Sequence, residues 1–258
     1  MQSVKATQEE YNEVMIQSKL LSQFPELVQA VTDKSDGNFA FRFEDKQKVI
    51  ENRQRLFRKL DLDPEKTVAI KCQQSDDYEI ATSEDAGSFY DPQSGLELDA
   101  LITTDKNLTL TLTIADCRPI ILYDPEHKVV AMVHVGRNGA EKKLLQKVAQ
   151  ALVDKYTTDV NKLVMFMGPG ISANSYVFEN VDTLDTKVWG SYISKRADGY
   201  HLNPKNFVLS QALQIGLRDE NIEVSDIDTY SDLNYYSNYR SYHQGDSEGR
   251  IIAVVCLK

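Results

Sequence analysis

A cysteine and a histidine stand at the ends of two neighbouring apolar segments. Cys117 follows the run "LTLTLTIAD", and His134 lies near the end of "VVAMVHV". Both side chains can pack in a core, where free cysteine is common. They can also act as nucleophile and base in a thiol hydrolase, or as zinc ligands. All three interpretations stay open, but strand ends next to loops are where functional residues collect, and this favours a site.

A glycine-rich turn directly follows the second of these segments and precedes a helix. Free backbone N–H groups and the positive end of a helix dipole attract anions at such a position. We therefore predict a phosphate-binding turn, with Cys117 and His134 as catalytic residues beside it. The turn consists of Gly136, Arg137, Asn138 and Gly139.

The elements that must position these residues follow from the periodicity of apolar residues. Predicted helices occupy 45–60, 139–156 and 206–217. Predicted strands occupy 67–74, 98–105, 108–117, 119–125, 129–136, 162–171 and 249–258, with a strand or extended segment at 76–85. The tyrosine-rich segment 229–243 could be an aromatic stacking wall, but we expect a rigid loop packed on the core. Because the strands come in consecutive runs, we predict an α+β layered sandwich with mixed sheets, in one domain over residues 1–258.

The bulk composition excludes several classes of partner. The formal net charge of the 258 residues is −10, which repels phosphate backbones, so nucleic acid is not expected as a partner. No segment is apolar over the roughly 18 residues that a membrane span needs, and the polar first 15 residues do not resemble a signal peptide. Three widely spaced cysteines argue against a disulfide framework. We therefore expect a cytoplasmic protein without membrane partners.

Several motifs, in order along the chain, carry a resemblance to a known family. The stretch "DALITTDKNLTLTLTIADCRPIILYDPEHKVVAMVHVGRNG" is similar to a strand A-D-A-L-V-T followed by T-A-D-C-x-P-V-L-L and A-H-A-G-W-R-G. The segments "VIENRQRL", "MGPGISANSYVF" and "RSYHQGDSEGRIIAVVCL" match further motifs of the same family. The chain thus resembles the YfiH-like laccase-domain proteins of bacteria.

This resemblance implies a four-layer α/β/β/α sandwich. It also implies a zinc ion held by two histidines and one cysteine, of which Cys117 and His134 match one cysteine and one histidine. Family members are described as purine nucleoside phosphorylases that also deaminate adenosine, and under an older name as multicopper polyphenol oxidases. A role in peptidoglycan editing is attached to the family as well. Four histidines in the whole chain cannot supply both a mononuclear and a trinuclear copper site, so we reject multicopper oxidation.

The chain departs from the family pattern at the site itself. Gln74 stands where the family has its first metal histidine, and we expect its amide oxygen to be the third ligand, with Cys72 or His243 as alternatives. Asn138 replaces an arginine, and residues 243 and 244 replace two more. Arg240 is the candidate to replace a lost arginine in substrate binding.

These observations lead to one main functional hypothesis and two alternatives. The main hypothesis is a zinc-assisted purine nucleoside phosphorylase or adenosine deaminase, weakened by the altered residues, with a purine nucleoside and phosphate as substrates. The first alternative is a protein that binds a nucleoside or a cell-wall fragment without turning it over. The second is a metal-free hydrolase that uses Cys117 and His134.

Overall fold

The computed structural model describes residues 15–91 and 93–258. The N-terminal segment in which we find no signal peptide therefore lies outside the described residues, apart from Met15. The strands are β1 (Leu27–Val31), β2 (Thr67–Ile70), β3 (Tyr78–Ile80), β4 (Ala100–Thr103), β5 (Thr109–Ile114), β6 (Arg118–Asp124), β7 (Val129–Val135), β8 (Val164–Met167), β9 (Val177–Phe178), β10 (Ile193–Arg196), β11 (Gly199–Leu202), β12 (Ile222–Val224) and β13 (Ile251–Leu257). The α-helices are α1 (Lys46–Lys59), α2 (Arg137–Glu141), α3 (Leu144–Tyr156), α4 (Thr186–Trp189), α5 (Pro204–Ile215) and α6 (Asn238–Gln244).

The described strands form three sheets. The first sheet has the order β1-β13-β5-β2, and the second has the order β12-β8-β6-β7-β4-β3. The third sheet is small and has the order β10-β11-β9. Most pairs are antiparallel, but β2–β5, β3–β4 and β12–β8 are parallel, so both large sheets are mixed.

Side-chain alternation along the central strands shows how the layers stack. In β6, Ile120 and Leu122 belong to the core shared with α3 and α5, whereas Ile121 and Tyr123 belong to the core shared with the first sheet. Successive strand residues point to opposite faces, so the second sheet is covered on both sides. This explains why its strands are continuous apolar runs in the sequence.

The outer face of the first sheet is covered by α1. Ile252 and Val254 of β13 pack there with Phe57 of the helix, whereas Ala253 and Val255 face the second sheet. The layers therefore follow the order α1, first sheet, second sheet, and then α3 with α5. The predicted α+β four-layer α/β/β/α sandwich with mixed sheets is confirmed.

Two local predictions were wrong. The helix expected over 139–156 is interrupted, because Lys143 adopts a left-handed backbone conformation with φ 62° and separates α2 from α3. The segment 229–243, expected to be a loop, ends in the helix α6, which Ser237 caps by accepting a hydrogen bond from the Arg240 amide.

Among the residues that the structure describes, no helix combines the length and apolar character that a membrane crossing requires.

Candidate functional site

A cleft with a volume of about 510 Å³ opens where the chain passes from the first large sheet to the second. Its lining combines thiols, cations, small turn residues and aromatic rings. The residues lining it are Cys72, Gln74, Thr113, Ile114, Ala115, Asp116, Cys117, Arg118, His134, Val135, Gly136, Arg137, Asn138, Gly139, Ile171, Tyr176, Phe178, Pro204, Asn238, Tyr239, Tyr242 and Arg250. Cys117, His134 and the predicted phosphate-binding turn therefore share one cleft.

The link between β5 and β6 presents Cys117 to this cleft. The residue before it, Asp116, has φ 75°, which turns the chain sharply between the sheets. The Asp116 carboxylate accepts hydrogen bonds from Thr229 Oγ1 at 2.8 Å and from the Tyr239 amide at 2.6 Å. Burial raises the pKa of Asp116 above its ordinary value, although these bonds oppose the shift. Through these two hydrogen bonds, the Asp116 carboxylate connects the turn that contains Cys117 to the C-terminal segment.

His134 enters the site from β7 on the side that faces the first sheet, as Val130 and Met132 do. Its Nδ1 lies 2.6 Å from Oδ1 of the buried Asp99, so that carboxylate fixes the orientation of the ring. Cys117 and His134 both lie next to Gly136, since a Cβ atom added there would lie 2.8 Å from the Cys117 sulfur and 3.8 Å from His134 Cε1. The structure therefore brings Cys117 and His134 together beside Gly136, with Asp99 at the Nδ1 side of the histidine ring.

Asp99 is held in its ionised form by its neighbours. Its Oδ2 accepts hydrogen bonds from the Ser75 amide at 2.7 Å and from the Gln73 amide at 3.0 Å. Burial on its own would raise the pKa of Asp99, but the hydrogen bonds from His134 and Ser75 lower it to about 2. At neutral pH an anion therefore lies behind the histidine, and the ring nitrogen facing it carries the proton.

The surroundings of His134 favour positive charge. Burial alone would lower the pKa of this histidine, but the charges of Cys72 and Cys117 and the hydrogen bond with Asp99 raise it well above its ordinary value. Anionic neighbours that stabilise an imidazolium also stabilise a bound cation. The electrostatics of the site thus suit an imidazolium or a bound metal ion.

Cys72 occupies the position where we expected Gln74. Ligand atoms of Cys72, Asp99 and His134 all lie within 4.8 Å of one another. Gln74 uses its amide oxygen to accept a hydrogen bond from Asn138 Nδ2 at 3.0 Å. A thiolate, a carboxylate and an imidazole are all donors that zinc accepts, so the chemistry of this cluster fits a metal of that kind.

His243, the other alternative third ligand, lies elsewhere. It is exposed on α6, where its ring stacks on Tyr239 with centroids 4.1 Å apart. It does not line the cleft. The remaining histidines pair with carboxylates away from the cleft, His127 with Asp124 and His201 with Asp198.

The glycine-rich turn approaches the thiol closely. A Cβ atom added at Gly136 would lie 2.8 Å from the Cys117 sulfur, so only glycine lets the start of α2 come this near. Arg137 follows, with Nη1 donating to the Thr183 carbonyl at 3.3 Å and the guanidinium lying over the Phe178 ring. Asn138 and Gly139 also line the cleft. The predicted turn is therefore placed beside the cysteine.

Arg240 is not placed in the cleft. It is buried, and its guanidinium donates to Asp246 at 2.7 Å, to the Thr229 carbonyl at 2.8 Å and to the Tyr235 carbonyl at 2.6 Å. The Arg240 side chain points inward from α6, and its hydrogen bonds connect several parts of the C-terminal segment. Arg250, which we did not single out from the sequence, lines the cleft instead.

Other residues of the site were also missed in the sequence. Asp99 carried a usable signal, since it is a charged residue that immediately precedes the apolar strand "ALIT". Tyr176 gave no comparable signal, whereas Tyr239 belongs to the tyrosine-rich segment 229–243 that we singled out as a rigid loop or a stacking wall. The position of both rings depends on how β9 and α6 pack around the cleft.

The sequence of the chain is similar to a known protein family over most of its length. A family model described as multi-copper polyphenol oxidoreductase laccase matches residues 31–258. This match spans nearly all of the residues that form the four layers and the cleft.

Individual relatives and solved structures agree with that match. A purine nucleoside phosphorylase of Campylobacter jejuni is 31% identical over 165 residues, covering 63% of this chain and 68% of the relative. Another of Corynebacterium glutamicum is 28% identical over 220 residues, covering 83% of each. The crystal structure of the hypothetical protein YfiH of Bacillus licheniformis superposes with a TM-score of 0.87 at 22% identity, covering 95% of this chain and 97% of that one.

Proposed function

Because the chain belongs to the multi-copper polyphenol oxidoreductase laccase family, whose matched relatives are named purine nucleoside phosphorylases, we propose that it is an enzyme of purine nucleoside phosphorolysis. The observation that carries the proposal is the meeting of Asp99, His134 and Cys117 beside a glycine-rich turn in one cleft. The volume of about 510 Å³ is of the size that small-molecule sites have.

The reaction transfers a ribosyl group from a base to phosphate. A phosphate oxygen forms a bond to C1′ of the ribose, and the bond between C1′ and the purine nitrogen breaks. The purine leaves with the electron pair of that bond and takes up a proton, and ribose 1-phosphate is the second product. Catalysis therefore needs cations near the phosphate and a proton donor near the base.

Residues of the cleft can meet these two needs. Arg137 and Arg250 supply positive charge, and backbone N–H groups of the turn at Gly136 supply donors to phosphate. His134, kept in orientation by Asp99, is the proton-carrying group nearest to Cys117. Asn138 bonds Gln74 and adds no charge, so the anion is held by fewer cations than the family pattern offers. We propose weak turnover for this reason.

We propose that zinc is the metal of this site, held by Cys117, His134 and Cys72. When bound, such an ion polarises a substrate oxygen or lowers the pKa of a water molecule. Asp99 then acts on the far side of the imidazole, as carboxylates behind metal-binding histidines commonly do. Adenosine deamination, which the family resemblance implies, belongs to the same proposal and is tested by ammonia release.

The decisive assay is release of the purine base from inosine and adenosine, with and without phosphate. We expect slow, phosphate-dependent release by the parent protein and none by Cys117→Ala. Cys256→Ala, at a buried cysteine outside the cleft, is the matched control and should retain activity. Release that does not depend on phosphate, or that survives Cys117→Ala, would contradict the proposal. Nucleoside binding without turnover would favour the alternative of a binding protein.

One observation favours a second candidate function. Asp99 lies on Nδ1 of His134, and the Cys117 thiol lies near the same ring beside Gly136, which are the residue types that a thiol hydrolase uses. Hydrolysis of activated esters in the presence of a strong chelator tests it. Activity that persists with the chelator and disappears when Cys117 is alkylated would support this function over the phosphorylase.

A further inference from the structure

One polar group of the cleft is used by none of the steps above. Tyr176 lines the cleft, and within the described part of the chain its hydroxyl takes part in no hydrogen bond. Tyr239 by contrast donates its hydroxyl to the Val177 carbonyl. A half-buried tyrosine hydroxyl usually finds a partner, so this one is available to a ligand.

The position of the Tyr176 ring is fixed from several sides. Its amide donates to the Ser172 carbonyl at 3.0 Å, and its carbonyl accepts from the Leu202 amide at 3.0 Å. Its ring packs on Phe178 at 4.8 Å between centroids and edge-on against Tyr239 at 5.4 Å. The hydroxyl is therefore held in place before any ligand arrives, which lowers the entropic cost of using it.

The surroundings keep this hydroxyl a donor. Burial raises the pKa of Tyr176 to about 12, and the charges of Cys117 and Asp116 act in the same direction against that of Arg137. The phenol is thus neutral at physiological pH and offers one O–H. Tyr176 and Cys117 line the same cleft.

We propose that Tyr176, Phe178 and Tyr239 form the subsite for the purine base, and that the Tyr176 hydroxyl donates a hydrogen bond to a ring nitrogen or carbonyl oxygen of that base. A purine is a flat aromatic ligand with acceptors along its edge, which matches aromatic rings with one fixed donor. This inference rests on the proposed function. It assigns the base to the aromatic side of the cleft and leaves the glycine-rich turn to phosphate.

The test measures binding of the free base, so it does not depend on turnover. Hypoxanthine and inorganic phosphate are titrated separately into the parent protein and into Tyr176→Phe, which keeps the ring and removes only the hydroxyl. We expect hypoxanthine to bind about tenfold or more weakly to the variant, because one buried hydrogen bond is lost. Phosphate affinity should not change. Tyr192→Phe is the matched control, at a half-buried tyrosine that does not line the cleft, and should bind both ligands like the parent.

A second variant separates stacking from hydrogen bonding. Phe178→Leu removes an aromatic face and keeps the hydroxyl, and it should also weaken hypoxanthine binding. Equal hypoxanthine affinity in the parent and both variants would overturn the proposal, as would absence of hypoxanthine binding to the parent. Failure of the phosphorylase assay alone would contradict the proposed reaction but not the base subsite, since binding is measured without phosphate present.

Discussion

His134 is held by a defined partner at Nδ1 of its ring. Asp99 lies 2.6 Å from Nδ1, and the Cys117 thiol and the imidazole both lie next to Gly136. The carboxylate orients the ring and strengthens its basicity, so the histidine depends on a residue that our proposal places behind it, outside the set of zinc ligands. At the scale of single residues, the site therefore includes both His134 and the residue that positions it, Asp99.

Replacing the carboxylate of Asp99 by an amide tests this dependence. Asp99→Asn keeps the shape but loses the charge, and we expect zinc affinity to fall by about 10–100-fold. Competition with a chromophoric chelator measures it. Asp124→Asn is the matched control, since Asp124 lies 2.8 Å from Nδ1 of His127 away from the cleft. Its zinc affinity should equal that of the parent, and an equal loss in both variants would contradict the assignment.

The third metal ligand gives a separate prediction at the same scale. We expect Cys72→Ser to weaken zinc binding about tenfold or more, because a hydroxyl is a poorer zinc donor than a thiolate. Gln74→Ala should leave it nearly unchanged, since the Gln74 amide oxygen is engaged by Asn138. Zinc titration with both variants decides the matter. The opposite result would restore Gln74 as the ligand.

The difference between Cys72 and Gln74 shows what the sequence could not provide. Two residues apart on a strand would share a face, but β2 ends at Ile70 and Gln74 has φ 55°. Strand alternation therefore no longer governs where these side chains point. Cys117 and His134 were predictable because each lies next to a long apolar strand. Residues in short loops were not, because backbone turns of this kind leave no periodic signal.

Helices and strands were predictable to different degrees. α1 lies within the predicted 45–60 helix because its apolar face is regular and Asp45 caps its first turn. The break at Lys143 had no sequence marker, since lysine is a good helix former. The helix α6 is short and owes its place to contacts made elsewhere in the chain.

The most important of those contacts joins Arg240 of α6 to Asp246, whose side chain is about 30% exposed. The hydrogen bond from Arg240 lowers the pKa of Asp246 to about 2. A carboxylate whose pKa is lower in the folded state stabilises the fold above its ordinary pKa, and this stabilisation is lost as the pH falls. The pH window is therefore about 4 down to 2.

The substitution Asp246→Asn tests how much the ion pair between Arg240 and Asp246 stabilises the segment around α6. We expect the variant to be less stable than the parent at pH 7 by about 1–2 kcal/mol, and the difference to shrink as the pH falls from about 4 toward 2. Urea unfolding at several pH values measures the free energy of unfolding. Asp226→Asn, at a more exposed carboxylate paired with Lys205, is the control and should change stability much less. A constant difference over this pH range would contradict the prediction.

At the scale of the whole molecule, the site joins the two large sheets. Cys72 follows β2 of the first sheet, His134 belongs to β7 of the second, and residues 115–117 connect β5 to β6 between them. A ligand held by both sheets binds the folded protein and not the unfolded chain. Its binding free energy therefore adds to the stability of all four layers.

Thermal unfolding with and without zinc tests this coupling. At a free zinc concentration about 100 times the dissociation constant, the stabilisation is about 2.7 kcal/mol. For a chain of this size we expect Tm to rise by about 5–10 °C. Cys117→Ala should show almost no rise, and Cys256→Ala, at a cysteine buried outside the cleft, should show the full rise. An equal rise in all three proteins would mean that zinc binds elsewhere.

Cys72, Asp99 and Cys117 each lie just outside a strand, in links whose side chains the sheet ladders do not use. The side chains of Cys72 and Cys117 can therefore change without altering strand pairing, whereas Asp99 also holds the loop that follows Cys72 through the Gln73 and Ser75 amides. In such an architecture a gene can lose a reaction, or acquire another, through changes at the two cysteines while its product keeps the same fold.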